Sequence, residues 1–206
     1  MALPKLDTPV YELEQPSTGE TIKYRPFLVK EQKTLMLAQE SEDDKQIRDA
    51  LGSLISNCTF ESIDPYKVPI FDIEFLFLRI RGKSVGEKID VSLLCPDDNE
   101  TRVNKSINLE EIGVNMKVGH TNEIEITDKI KMIMRYPTIS DMEDIDDVAQ
   151  LGSVFPMILR CVHEIHDGEK KYNRVDMSEK DLEEFIDSLT GEQFERVGEF
   201  FETMPK

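Results

Sequence analysis

A chain of 206 residues with 39% hydrophobic content is long enough for one large or two small domains with a genuine core, which excludes a disordered tail. Its formal charge of -17 argues against general binding to a phosphate backbone, which depends on clustered Lys and Arg displacing counterions. The acidity is uneven, with 18 acids against 7 bases from Ser140 to Lys206 but 5 against 6 from Arg102 to Ile139. Basic protein surfaces suit the acidic part as partners, and a merely solubilising face is the plainer alternative.

The opening "MALPKLDTPV" lacks a basic region followed by an apolar stretch and a small-residue cleavage site, so the expectation is residence in a cytoplasm. Cys58, Cys95 and Cys161 are far apart and odd in number, which fits reduced thiols. Residues 1–9, with Pro4 and Pro9, read as an extended arm. Residues 10–84 then read as a β-hairpin plus helices. "VYELE" alternates, breaks at "QPSTGE" and resumes through Ile22 and Tyr24. Leu28, Leu35 and Met36 recur at helical spacing, as do Ile47, Leu51, Leu54 and Ile55, which predicts two antiparallel helices separated by "ESEDD".

"FDIEFLFLRIRGKS" predicts a helix over 71–81. Ile73, Leu76, Phe77 and Ile80 fill one face and Phe71, Phe75 and Leu78 another, with thin seams carrying Asp72 with Arg79 and Glu74 with Arg81. Its longest uninterrupted apolar run, Phe75 to Leu78, is far below the roughly 20 residues of a membrane span. Residues 85–137 read as a β-rich region: "EKIDVSLLC" and "TRVNKSINL" flank the turn "PDDNE", and "NEIEITDKIKMIMRYP" supplies further strands. Residues 138–206 read as an acidic helical region packing back on the N-terminal part. There "DVAQLGSVFPMILRCVHEI" is a helix kinked at Pro156, and two more helices open at Ser178 and at the Thr190–Gln193 capping-box spacing. The expected class is α+β, with helical N- and C-terminal parts, a small antiparallel β insert and an N-terminal β-hairpin.

No residue set converges on catalysis. In "CVHEIH" a helix would point Cys161 away from His163, and the pair His163 and His166 is too small for a zinc site. A helix-end histidine is the plainer reading. "LLCPDDNET" has Asp98 where a second knuckle cysteine would fall, and a turn explains it. "DMEDIDD", Asp141 to Asp147, lacks the glycine and terminal glutamate of an EF-hand loop. No metal, organic cofactor or catalytic residue is therefore expected, and the rival enzyme reading is a hydrolase using Cys161 with His163.

"IKYRPFLVKEQKTLMLAQE", "FDIEFLFLRIRGKSVGE" with the following "LLCP" strand, and "FERVGEFFETMPK" together resemble the baseplate hub subunit family of T-even-type contractile-tailed phages. The resemblance implies a non-enzymatic structural or assembly subunit that acts by contact with other hub proteins. It works in the host cytoplasm during assembly and is either retained in the virion tail baseplate or released as a chaperone. Neither nucleic acid nor membrane is an expected partner, and self-association is a further alternative. The expected contact residues are Tyr24, Arg25 and Phe27, at the end of a hairpin that Pro26 marks as an edge, together with Arg79 and Arg81 on opposite seams of the 71–81 helix. Phe27 is also placed to cap the chain's own core.

Overall fold

The computed structural model describes residues 6–142 and 151–206, and these form two compact units, Met1–Val114 and Asn115–Lys206. Each is α+β, as the sequence predicts. Of the expected arm, residues 1–5 lie outside the described residues, as do the acidic stretch beyond Met142 and the start of the helix expected over "DVAQ".

The first unit opens with the expected hairpin, β1 (Tyr11–Glu14) antiparallel to β2 (Thr21–Tyr24), in the register Tyr11↔Tyr24 to Glu14↔Thr21. Helix α1 (Val29–Glu40) turns through Glu42, at φ 55°, into α2 (Asp44–Cys58). Asp43 caps α2 by accepting from the N–H groups of Lys45 and Gln46 at 2.9 and 3.2 Å. Gly52 lets the Tyr66 ring lie against α2, because a Cβ there would sit 3.1 Å from the phenolic oxygen.

Helix α3 (Ile70–Val85) runs longer than the 71–81 span, passing through Gly82 and ending at Gly86, φ 115°. Of its two apolar faces, Ile73, Leu76 and Ile80 are fully buried alongside Leu54 and Ile55 of α2, whereas Phe75, Phe77 and Leu78 are only half-buried. The expected Asp72–Arg79 and Glu74–Arg81 seams do not form as pairs: Asp72 is buried against the β1–β2 turn and Arg79 bonds backbone carbonyls.

β3 (Lys88–Leu94) and β4 (Arg102–Asn108) form a separate two-stranded ribbon. Asp98 closes its tip. It accepts from the Thr101 hydroxyl and from the N–H groups of Glu100 and Thr101, which holds its carboxyl down at about 2 and confirms the turn at the would-be knuckle.

The β-rich stretch 85–137 straddles the division between the units, because its later strands belong to the second one. There β5 (Glu123–Glu125), β6 (Ile130–Met134), β7 (Val162–Asp167) and β8 (Lys170–Asn173) make an antiparallel sheet in that order. Helices α4 (Leu151–Cys161), α5 (Glu179–Asp187) and α6 (Gly191–Thr203) complete the unit. Met132, Met134, Ile158, Val162, Leu182 and Val197 are fully buried in its core. Ser178 caps α5, and Thr190 with Gln193 forms the reciprocal box of α6.

The helix expected to continue through "CVHEI" instead stops at Cys161, and β7 begins at Val162. Pairing decides this: β7 lies between β6 and β8, so its backbone groups are satisfied by two neighbours, and Val162 and Ile165 suit a strand. Gly168 and Glu169 then make a two-residue turn, with Gly168 at φ 60°, and the flanking residues Asp167 and Lys170 pair. The plainer reading of His163 and His166 as helix-end residues is corrected accordingly, since both lie on a strand.

Candidate partner-binding surface

The residues expected to form a docking ridge at the end of the first hairpin are placed by β2 and by the C-terminus of α2. Tyr24 is 3% exposed, with its ring 5.6 Å from that of its cross-strand partner Tyr11, and burial pushes its hydroxyl pKa up. Arg25 is 9% exposed. Its N–H donates to the Cys58 carbonyl at 2.9 Å, and its guanidinium donates to Glu31 Oε1 at 2.9 Å and to the Pro26 carbonyl at 2.9 Å.

Glu31 is itself buried, and its other oxygen accepts from the Leu28 N–H at 2.7 Å, as an acid in the first turn of α1 does. Burial alone would raise its pKa, but the Arg25 and Leu28 hydrogen bonds outweigh that and hold it below the ordinary carboxylate value. Within the described residues Tyr24 and Arg25 thus face the interior, where each finds its partner, and do not stand outward as a ridge. Phe27 is half-buried, and its N–H donates to Ser84 Oγ at 2.9 Å.

Arg79 spans from α3 to the segment after β4, donating to the carbonyls of Leu109 and Ile112 at 2.9 and 2.8 Å, while its guanidinium lies 4.6 Å from the Phe75 ring centre. Its fork is spent on its own chain. Arg81 is half-buried and makes a longer, solvent-open contact, 3.4 Å from Nη1 to the Gly86 carbonyl.

The structure brings out a surface that periodicity missed. Leu28, Leu35 and Met36 recur at helical spacing, yet Leu28 and Met36 are exposed, and the buried residues of α1 are Glu31 and Ala38. Val29 at 66% and Leu37 at 67% exposure share the outer face with Met36, at i, i+7 and i+8, flanked by Lys30 and Lys33. In the sequence this face is legible as Val29, Met36 and Leu37, a second apolar set on α1 that shares Met36 with Leu28 and Leu35.

In the second unit, the cysteine and histidines considered for catalysis are separated. Cys161 is fully buried, and burial pushes its thiol up to about 12, which disfavours the nucleophilic thiolate. Its thiol lies 3.8 Å from Met157 Sδ, while His163 is exposed on β7 and His166 Nε2 contacts Glu164 Oε2 at 2.6 Å. Asp141, the first acid of "DMEDIDD", is held by Arg135 through two 2.6 Å bonds and by the Thr138 N–H at 2.7 Å. Among the described residues, no group of three or more His, Cys, Asp or Glu side chains is placed to hold a metal ion. No described helix is long and apolar enough to cross a membrane.

His120 is the third histidine, and it ties the sheet side of this unit to the end of α6. Thr203 donates its hydroxyl proton to the Glu199 carbonyl at 2.6 Å, so Thr203 Oγ1 accepts from His120 Nδ1–H at 2.9 Å and Tyr136 donates to Nε2 at 3.0 Å. This arrangement needs a neutral ring, and burial lowers the His120 pKa below its ordinary 6.5. An unfolded chain therefore binds the proton more readily. The stabilisation is complete above about pH 6.5 and is lost as pH falls from there through the folded-state value. Thermal melts between about pH 7.5 and pH 5.5 should fall more steeply for the native protein than for His120→Gln, and parallel curves would remove the histidine from this role.

No curated protein and no solved structure matches the chain. The family model described as T4 bacteriophage base plate protein matches residues 8–206, and the chain belongs to that family.

Proposed function

We propose that this baseplate protein is a non-catalytic subunit of the tail baseplate hub, acting in the host cytoplasm through contacts with other hub proteins. Family membership supports a structural or assembly role in the baseplate. The observation that carries the contact reading is the outer face of α1, where Val29, Met36 and Leu37 stand exposed together on a chain with ample interior to bury them. Arg81 and Phe27 extend the candidate contact set, since neither is buried; Arg79 belongs to it only if a partner displaces its carbonyl bonds. The burial of Cys161 away from His163 favours no hydrolase.

The test is a triple change of Val29, Met36 and Leu37 to serine, with hub intermediates and mature particles then purified and their proteins identified by mass spectrometry. The expected result is an unchanged melt and a variant absent from the intermediates that contain the native chain. Native-like incorporation of the variant would overturn the role of α1. Presence of the native chain in intermediates but not in particles would identify an assembly factor.

A further inference from the structure

The β3–β4 ribbon is the most incomplete element of the fold. Its strands are seven residues each, pair without a bulge, and have no further strand on either edge among the described residues. A two-stranded ribbon of this kind is marginal in water, and an unblunted edge is a template for another strand. The register puts Ile89, Val91 and Leu93 of β3 on the same face as Val103 and Ile107 of β4, and Leu93 and Val103 are 50% and 54% exposed. Apart from Lys105, opposite Val91, that face is apolar, and it is unfinished.

The phase of the ladder says which backbone groups are available. Cys95 donates to the Thr101 carbonyl at 2.8 Å and Leu109 to the Glu87 carbonyl at 2.7 Å, so the odd-numbered residues of β3 bond inward to β4. The N–H and C=O groups of Lys88, Asp90, Ser92 and Leu94 consequently point outward. Antiparallel pairing of β3 with itself about Val91 sets Lys88 opposite Leu94 and Asp90 opposite Ser92, each pair outward-facing and able to exchange both bonds. Val91 then meets Val91 of the other copy at the close, non-bonded position, and Ile89 meets Leu93. No like charges oppose one another.

The other edge is less suited: full overlap of β4 with itself would set Lys105 against Lys105 at that close position, a destabilising pair. In the β3 pairing, by contrast, Lys88 meets Leu94 and Asp90 meets Ser92, so no charged residue stands directly opposite another of the same sign. We propose that the free edge of β3 pairs with the β3 edge of a second copy of this chain, joining two ribbons into one four-stranded sheet about a two-fold axis. This contact goes beyond the proposed hub role and does not depend on it.

The test is the mass of the full chain in solution, measured by light scattering over a concentration series, for the native protein and three variants. Ser92→Pro removes an outward N–H that the chain's own ribbon does not use, and Ser106→Pro does the same on the β4 edge. Val91→Glu places a carboxylate opposite the chain's own Lys105 but against its equivalent across the two-fold axis. The expected result is a native dimer of twice 23.7 kDa, a dimer for Ser106→Pro, and a dissociation constant raised at least about tenfold for Ser92→Pro and Val91→Glu with unchanged circular dichroism. A native chain that stays monomeric throughout overturns the proposal, as does a dimer that survives both β3 changes.

Discussion

Arg25→Ala is expected to destabilise the protein by about 3–5 kcal/mol, the cost of removing one partner from a buried ion pair. The side chains of Arg25 and Glu31 are 10% and 4% exposed, so truncating the arginine strands a carboxylate in an interior that water does not reach. Lys30 Nζ lies 3.3 Å from the same oxygen, but it is largely exposed and offers only a screened substitute, which favours the lower end of the range. Denaturant unfolding of the full chain measures the loss.

The pH dependence separates this account from simple loss of packing. In the native protein Glu31 is held below its usual 4.5, so its contribution is present above that pH and is lost as pH falls through the folded-state value. Without Arg25, burial acts less opposed and pushes the carboxyl up, so the variant's deficit should shrink as pH falls below about 4.5. Glu31→Gln in the Arg25→Ala background should recover part of the stability at neutral pH, since the amide oxygen still accepts from the Leu28 N–H. An unchanged melt with lost binding to other baseplate proteins would return Arg25 to the surface role that the sequence suggested.

That reversal shows where the sequence stops being legible. Signals written in a few consecutive residues survive into the structure: Ser178 and the Thr190–Gln193 box open α5 and α6, and the turns "QPSTGE" and "PDDNE" join the two hairpins of the first unit. Features set by a distant partner do not. "KYRPF" has the residue types of an interface, but Tyr24 is covered by Tyr11 and Arg25 is claimed by a glutamate that helical spacing alone would leave in solvent. "VHEIHD" follows directly on a helix, and only its pairing with β6 and β8 makes it a strand. The one local mark of the hairpin is Gly168, which opens its two-residue turn at φ 60°. The candidate contact face on α1 was hidden for a related reason: both of its helical stripes contain apolar residues, and burial of the Arg25–Glu31 pair selects which one faces inward.

Asp72→Ala should cost about 3 kcal/mol, because this fully buried carboxylate is the clasp between α3 and the turn of the first hairpin. It accepts from Gln15 Nε2 at 2.6 Å, from the Ser17 N–H at 3.0 Å and from the Ser17 hydroxyl. Alanine removes the acceptor that these donors share, and a buried donor without a partner costs about 1–3 kcal/mol, although Gln15 keeps its bond to Ser17 Oγ at 3.0 Å. Asp72→Asn is the informative comparison. One amide oxygen can still accept from the Ser17 N–H, and Gln15 can turn its own carbonyl toward the new amide N–H, so roughly half of the loss should return. If asparagine proves as damaging as alanine, the negative charge in the first turn of α3 is the larger effect, through its interaction with the helix dipole. If alanine proves harmless, the hairpin is held by Tyr11, Tyr24 and Ile22 alone. Hydrogen exchange distinguishes these cases locally: the Gly19 amide, bonded to the Gln15 carbonyl at 2.8 Å, should exchange faster in Asp72→Ala if the clasp orders the turn, while amides within α2 keep their protection.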